Sequence, residues 1–289
     1  MASRTVVVTG VEGRVDRVLA ALDPEVSRSL AGRLAKEGAV LREGRALRPS
    51  DVVREGDRLS YHVPETEEVE PGPEATPLDV VYQDQDLVVV DKPAGMVVHP
   101  AVGHATGTLV QALLGLGGSW SSAGGAARPG IVHRLDKGTS GLILAARNDL
   151  AHRALASQLA DRTLSRTYLA IVRGGLREES ALLEGPIARH PHDRLRMAVV
   201  EGGRPARTRV AVVERRGGHT LVRCDLETGR THQIRVHLAA LGHPIAGDDV
   251  YARTRPGDPP RPMLHAWRLR FVHPRTGEAI ELEAPPPPD

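Results

Sequence analysis

The segment from residue 131 to 142 combines side chains that could do chemistry. His133, Arg134, Asp136 and Lys137 lie within five positions, between an apolar stretch and a glycine-bounded turn. Irregular segments of this kind often carry reactive residues. Because a neighbouring arginine lowers a carboxyl pKa by about 1 to 3 units, Asp136 is expected to be ionised and to suit a nucleophile better than a general acid. The residues alone also permit a turn-capping Asp136 that pairs with Lys137 at the surface.

A second candidate for this site lies about 100 residues downstream, on a predicted helix over 231–241. Ile234, Leu238 and Leu241 follow a helical apolar spacing and are expected to face the core. Arg235 is then placed at the buried edge, where it could reach Asp136; a solvated helix arginine is the alternative.

Histidines and cysteine give little support for a metal site. His232, His237 and His243 are spaced by five and six residues and lack a His-Glu-x-x-His pattern. Structural hydrogen bonds or RNA contacts suit them better. Cys224 is the single cysteine, so neither an intrachain disulfide nor a cysteine-based zinc site can form. We therefore expect no metal and an intracellular, reducing compartment, the cytoplasm.

The chain length and a proline-rich stretch divide the 289 residues into two unequal parts. Three prolines and several acids over 64–76, followed directly by Pro77, predict a linker, since prolines at this density disfavour both helix and sheet. The predicted organisation is a small unit over 1–63, this linker, a large unit over 77–284 and a proline-rich tail over 285–289. No run of about 18 apolar residues occurs, so a membrane protein is not expected.

The large unit is predicted to contain several short strands and few helices, which permits an α+β fold. Apolar runs predict strands over 80–82, 87–91 and 142–146, and a helix over 108–116.

Charge is distributed unevenly along the chain. The net charge is only +2, but the stretch 189–237 holds eleven arginines against five acids. A polyanionic partner such as RNA is compatible with this pattern, and so is a solvated arginine-rich surface.

The small unit reads as helix, helix, hairpin. Helical spacing predicts a first helix that ends at Asp23 and a second that Ser27 caps and Gly38 ends. Cations from the second helix and the hairpin could converge on phosphates: Arg33, Lys36, Arg42 and Arg45. This order, with the recurring Glu-Gly pairs, resembles the RNA-binding domain first described in small-subunit ribosomal protein four. A general interaction module with surface arginines is the alternative for this segment.

The large unit resembles a known enzyme family over about residues 77 to 284. The run His-Arg-Leu-Asp-Lys-Gly-Thr-Ser-Gly at 133–141 resembles the catalytic motif of RNA pseudouridine synthases of the RluA and RluD type. Supporting motifs follow in the family's order: Val-Asp-Lys-Pro-Ala-Gly-Met at 90–96, Arg-Thr-Tyr-Leu-Ala at 166–170, Gly-Arg-Thr-His-Gln-Ile-Arg-Val-His at 229–237, Gly-His-Pro-Ile at 242–245, and Gly247-Asp248 with Tyr251.

The resemblance implies a fold, an activity and site residues. It implies a catalytic domain built on a mainly antiparallel mixed sheet, which isomerises uridines without a cofactor and acts as a monomer on structured RNA. The expected RNA is that of the large ribosomal subunit. Asp136 would be the catalytic aspartate, Tyr168 the aromatic against the base and Arg235 the partner of Asp136. Further expected RNA contacts are Arg134, which would fill the gap left by the extruded nucleotide, with His133, Lys137, Arg230 and His232.

Three positions depart from the families' common patterns. Gly138 stands where an acid is frequent, Arg166 where lysine is common, and Glu43 where asparagine often precedes the turn glycine. None touches the proposed chemistry.

Two other functions remain compatible with the residues. A glycoside or nucleoside hydrolase would need a second carboxylate across the bond, and only Asp136 has a motif behind it. A non-catalytic RNA-binding or ribosome-assembly protein could dispense with Asp136. Substitution of Asp136 separates these hypotheses.

Overall fold

The computed structural model divides the chain into two compact units, Met1–Val69 and Glu70–Asp289. It describes residues 2–26, 28–63, 71–101, 103–125, 127–193 and 196–288. No helix within these ranges is long and apolar enough to cross a membrane.

The first unit packs two helices against a four-stranded sheet. Its core includes Val18, Leu19, Leu34 and Tyr61, all nearly inaccessible to solvent. The sheet order is β1-β6-β3-β4, and β2 pairs with β5. The predicted helix, helix, hairpin order is confirmed, although Ser27, the expected cap of the second helix, lies outside the described residues. The elements are β1 Ala2–Val7, β2 Gly13–Arg14, α1 Val15–Leu22, α2 Arg28–Lys36, β3 Val40–Arg42, β4 Arg45–Ala46, β5 Val52–Val53 and β6 Arg58–Val63.

The β3–β4 turn contains Glu43, one of the three departures from the common patterns. Glu43 and Gly44 both have positive φ, 51° and 81°. A two-residue hairpin turn with positive φ at both positions is best served by Asn-Gly. Glu43 therefore holds a left-handed conformation that asparagine adopts more readily, but the turn itself is formed.

The second unit is built on a nine-stranded sheet, in the order β11-β14-β15-β10-β16-β9-β8-β7 with β17 paired to β16. All its pairings are antiparallel except β9 with β16. The predicted α+β class with a mainly antiparallel mixed sheet is confirmed. The helices are α3 Leu109–Gly115, α4 Asp149–Ala160 and α5 Gln233–Ala240; the strands are β7 Asp79–Gln83, β8 Leu87–Lys92, β9 Ser140–Ala146, β10 Ser165–Arg173, β11 Ser180–Glu184, β12 Ile187–Arg189, β13 Met197–Val199, β14 Arg207–Arg216, β15 His219–Leu226, β16 Leu264–Val272 and β17 Ala279–Glu283.

Both faces of this sheet are covered at β8 and β9. Side chains alternate between the faces of a strand. Val88 and Val90 belong to the apolar cluster that contains Leu109 of α3, whereas Leu87 and Val89 belong to the cluster that contains Leu155 of α4. This double burial explains why β8 is an unbroken apolar run.

The parallel pairing of β9 with β16 depends on Gly141. Its φ is 110°, and a Cβ at this position would lie 2.3 Å from the carbonyl oxygen of Ala266. Only glycine allows the two backbones to approach this closely. The glycine that closes the 133–141 motif thus fixes the strand that follows it.

The structure differs from the predicted boundaries at two points. The expected linker over 64–76 is shorter at its C-terminal end, because the backbone N–H of Glu74 donates to the carbonyl of Gln111 at 2.9 Å. The expected helix over 231–241 begins at Gln233 and ends at Ala240. Leu241 lies beyond it and is 42% exposed, so its expected place in the core is wrong. The N–H of Leu241 still donates to the carbonyl of His237, but the helix ends at this residue and its side chain lies in solvent.

Candidate active site

A cavity of about 610 Å³ opens between the 131–139 loop, strand β10 and the start of α5. Its lining holds six arginines but only two acids, Asp136 and Glu227. The excess of positive charge favours a polyanionic ligand. Asp136 is then the carboxylate that one part of this ligand could reach. Three of the sequence-predicted residues, Asp136, Tyr168 and Arg235, line it together.

The Asp136 loop is held by a buried lysine that sequence analysis missed. Lys92 is fully buried, and its Nζ donates to the carbonyls of Pro93 and Met96 at 2.8 and 2.9 Å. The turn thus formed reaches the loop, since the N–H of Gly95 donates to the carbonyl of Lys137 at 2.7 Å. Burial lowers the pKa of Lys92 to about 8, while the nearby charge of Asp136 opposes that shift. Lys92 fixes the backbone beside the carboxylate and adds positive potential there.

Arg235 joins Asp136 to a second carboxylate. Its Nη1 donates to Asp136 Oδ2 at 3.2 Å, while Nε and Nη2 donate to Asp248 at 2.7 and 2.9 Å. Burial favours the neutral acid at Asp248, but the bonds from Arg235 outweigh it and hold the pKa of Asp248 below its usual range. Burial likewise opposes the charge on Arg235, and the two carboxylates outweigh it and raise its pKa. The guanidinium is therefore a permanent, oriented cation beside Asp136.

Tyr168 forms part of the cavity wall at the centre of the sheet. It is only 5% exposed, and burial raises the pKa of its phenol. The register of β10 against β16 shifts between Thr167 and Tyr168. Such a bulge re-aims the side chains beside it, as bulges near active sites often do. The tyrosine is therefore neutral and rigidly held within the cavity lining.

His232 approaches the other oxygen of Asp136. Its Nε2 lies 3.9 Å from Asp136 Oδ1, and its Nδ1 lies 2.8 Å from the hydroxyl of Tyr251. That hydroxyl also accepts the N–H of Met197 at 2.8 Å. When Tyr251 donates to Nδ1, the remaining ring proton is on Nε2 and faces Asp136. Burial lowers the pKa of His232, which favours this neutral form.

His133 lines the cavity but is buried. Its Nε2 accepts the N–H of Leu144 at 3.1 Å. This bond supports strand β9, whereas the neighbouring Arg134 is exposed. The RNA contact of His133 stays a prediction.

Burial of His133 predicts a loss of stability in acid. Burial lowers its pKa to about 3, so the unfolded chain takes up a proton below pH 6.5 and the folded chain does not. The contribution is present above pH 6.5 and falls by about 1.4 kcal/mol per pH unit between pH 6.5 and 3. We expect urea unfolding of His133→Asn to show a correspondingly shallower acid slope than the wild type. Equal slopes would contradict this.

Three further predicted residues stand at the cavity or its loop. Arg134 is exposed and lines the cavity, without a hydrogen bond or ion pair in the described part of the chain. Lys137 is exposed, with Nζ 3.3 Å from His104 Nε2. Arg230 lines the cavity and donates to the carbonyl of Pro205 at 3.1 Å. Arg134 is thus the most available cation.

The four basic residues predicted in the first unit are not equivalent. Arg33, Lys36 and Arg45 are exposed. Arg42 instead donates to Asp57 at 2.9 Å, which neutralises it locally. A phosphate would compete with that carboxylate for Arg42.

The site contains residues that sequence analysis passed over. Asp248 lies in a quoted motif, but its role became visible only through the fork with Arg235. Arg128 and Arg162 line the cavity and carry no local sequence signal. Gly138, one of the noted departures, packs against Pro262: a Cβ there would lie 2.8 Å from Pro262 Cδ, so an acid would need this proline to move.

The three histidines for which sequence analysis expected no metal have separate hydrogen-bond partners. Besides His232, His237 Nδ1 lies 2.9 Å from Thr208 Oγ1 and His243 Nδ1 lies 2.9 Å from the carbonyl of Arg173. A cluster elsewhere, formed by Asp84, Asp86 and His273, has metal-like spacing. Its oxygens already accept bonds from protein donors: those of Asp84 from Tyr82, His273 and two backbone N–H groups, and those of Asp86 from Arg275 and Asn148.

Two protein families match the chain. The RNA pseudouridylate synthase family matches residues 86–240, which is more than half of the chain, and the S4 domain matches residues 13–59. The second match covers most of the helix, helix, hairpin unit.

Relatives match along nearly the whole length. The chain is 45% identical over 276 residues to an uncharacterized RNA pseudouridine synthase, YlyB, of Bacillus subtilis, covering 96% of this chain and 91% of that protein. It is 46% identical over 290 residues to ribosomal large subunit pseudouridine synthase D of Neisseria meningitidis serogroup A, covering 96% of this chain and 76% of that protein. Among solved structures, human RNA pseudouridylate synthase domain containing 1 is similar, with a TM-score of 0.60 and 30% identity over 75% of this chain and 86% of that one.

Proposed function

This chain belongs to the RNA pseudouridylate synthase family and isomerises uridine in RNA, and we propose that it modifies large-subunit ribosomal RNA with Asp136 as the nucleophile. Relatives named ribosomal large subunit pseudouridine synthase D, from Neisseria meningitidis and Nitrosomonas europaea, support the choice of RNA. The observation that carries the role of Asp136 is its carboxylate in an arginine-lined cavity, bound through one oxygen to Arg235.

The arrangement leaves one oxygen of Asp136 for the reaction. Oδ2 accepts from Arg235, whereas Oδ1 accepts no hydrogen bond from the residues that the structure describes and lies 3.9 Å from His232 Nε2. The ionised Oδ1 bonds to the ribose or the uracil ring, and the glycosidic bond breaks. The uracil turns, its carbon 5 bonds to the ribose, and the bond to Asp136 breaks. The proton lost from carbon 5 is balanced by one taken up at nitrogen 1. Arg235 orients the attacking carboxylate before bond formation and stabilises its charge when it departs.

Tyr168 and Arg134 handle the nucleotide. The target must leave its stack, which costs a few kcal/mol. Packing of the base on an aromatic ring contributes about 1 to 3 kcal/mol. Tyr168 provides that wall within the cavity, and Arg134, exposed at its edge, fills the gap in the RNA.

The remaining assignments follow from the same chemistry. Isomerisation needs no external oxidant, reductant or metal, so we assign no cofactor. Asp136, Tyr168 and Arg235 all come from one chain, which fits a monomer. Residues 1–63 act as the RNA-binding module, with Arg33, Lys36 and Arg45 as phosphate contacts, and residues 77–284 as the catalytic domain. We assign this RNA modification to ribosome biogenesis in the cytoplasm.

Mapping pseudouridines in large-subunit ribosomal RNA tests this proposal. Cells that lack the protein are expected to lose one or a few pseudouridines, which return with the wild-type gene and not with Asp136→Asn. An unchanged map would contradict the choice of RNA. An abasic site in place of pseudouridine would instead support the hydrolase alternative.

A further inference from the structure

Arg162 holds a backbone conformation that arginine disfavours. It follows the last turn of α4 with φ 61°, and the N–H groups of Thr163 and Leu164 both reach back to the carbonyl of Gln158, at 2.9 and 3.1 Å. This left-handed position after a helix is usually glycine, because a Cβ is unfavourable there. An arginine at this place therefore calls for an explanation beyond helix termination.

The side chain of Arg162 lines the catalytic cavity. It is 51% exposed, and its nearest carboxylate is Glu227, with Nη1 3.7 Å from Oε2. Glu227 is closer to two other arginines, at 2.9 Å from Arg209 and 3.3 Å from Arg207. Arg207 also pairs with Glu184. Three guanidinium groups thus share two carboxylates, and Arg162 has the weakest pairing.

A second cation lies near it in the sequence and in the same cavity. Arg166 is partly buried, and its Nε has no hydrogen-bond partner in the described part of the chain. Its Nη1 is packed close to Gly229, where a Cβ would lie 2.6 Å away. A buried donor without a partner is unfavourable unless a ligand completes it.

We propose that Arg162, with Arg166, binds a phosphodiester of the RNA strand next to the target uridine. This proposal rests on the proposed function, because the phosphodiester belongs to the RNA substrate that the proposed function assigns to the catalytic cavity. An extruded nucleotide leaves its flanking phosphates at the cavity rim, and a guanidinium binds phosphate through parallel N–H bonds. The long contact to Glu227 keeps Arg162 oriented until the phosphate replaces it. The strained backbone is retained because glycine could not carry this charge.

Arg162→Gly tests the proposal with two readouts of opposite sign. Removal of the strain is expected to raise the Tm by about 2 to 4 °C. Removal of the charge is expected to weaken binding of an RNA transcript that contains the mapped uridine, and to reduce the slope of log K against log salt by about 0.7 to 0.9 between 50 and 200 mM KCl. Arg162→Lys should keep most of the slope. Arg216→Ala, an exposed arginine outside the cavity lining, is the control for charge alone.

The outcomes separate this inference from the proposed function. A wild-type slope for Arg162→Gly, or an equal loss with Arg216→Ala, would overturn the phosphate contact. Pseudouridine formation by the wild-type protein is measured on the same transcript. If the wild type forms pseudouridine and the slope is unchanged, the contact fails and the function stands. If binding depends on Arg162 but no pseudouridine forms, the choice of RNA fails and the contact stands.

Discussion

Asp136→Asn is expected to lower the rate of pseudouridine formation by at least about 10⁴-fold. The amide has nearly the shape of the carboxylate and can still accept from Arg235, but it lacks the ionised oxygen that attacks the nucleotide. Release of tritium from carbon 5 of uridine in a labelled transcript measures the reaction, because that hydrogen leaves when carbon 5 joins the ribose.

RNA binding provides the control for this variant. Asp136 is one of two acids in a cavity lined by six arginines, so loss of its charge does not weaken attraction to RNA. The dissociation constant is expected to stay within about twofold, or to fall, at fixed salt. Tritium release at the wild-type rate would show that the nucleophile is elsewhere.

Arg235→Met is expected to affect stability and activity together. The substitution leaves Asp248, whose side chain is fully buried, without its paired cation. Breaking such a pair costs about 3 to 5 kcal/mol, which urea unfolding would measure. It also removes the donor to Asp136 Oδ2 at 3.2 Å, and we expect about a 10²- to 10³-fold lower rate in single-turnover assays.

A double variant separates these two effects. Adding Asp248→Asn to Arg235→Met removes the uncompensated buried charge and is expected to recover much of the stability. The rate should remain low, because Asp136 still lacks its guanidinium. If the rate recovered with the stability, Arg235 would act only by supporting the fold.

The 133–141 motif allowed most of the candidate site to be anticipated. The apolar positions Ile234 and Leu238 set the phase of α5, and that phase put Arg235 at its buried edge. The structure shows this side chain 7% exposed and bonded to Asp136. The contact between Asp136 and Arg235, which are 99 residues apart, could therefore be predicted from local periodicity together with the family resemblance.

Residues whose roles depend on tertiary packing could not be predicted in this way. His133 and Arg134 are neighbours in the sequence, yet one is buried under the loop and the other is exposed. Their sides follow from the backbone path around β9, which the residue types do not specify. The same holds for Asp248, because its role depends on the two hydrogen bonds from Arg235, which the sequence does not show.

Backbone conformation explains the other misses. Arg162 follows α4 in the left-handed region, where a sequence signal for helix termination would be glycine. Glu74 sits in a proline-rich, acidic stretch but donates to a carbonyl of α3. Composition indicated a linker there, whereas the hydrogen bond attaches this residue to the second unit.

The most direct test of the central claim is to identify the atom that becomes bonded to the nucleotide. An RNA with 5-fluorouridine at the mapped position slows the last step, since fluorine does not leave carbon 5 as a cation. After denaturation and trypsin digestion, we predict a nucleotide adduct by mass spectrometry on the fragment that contains Asp136, and none with Asp136→Asn. An adduct on another residue, or one formed equally by Asp136→Asn, would contradict the account.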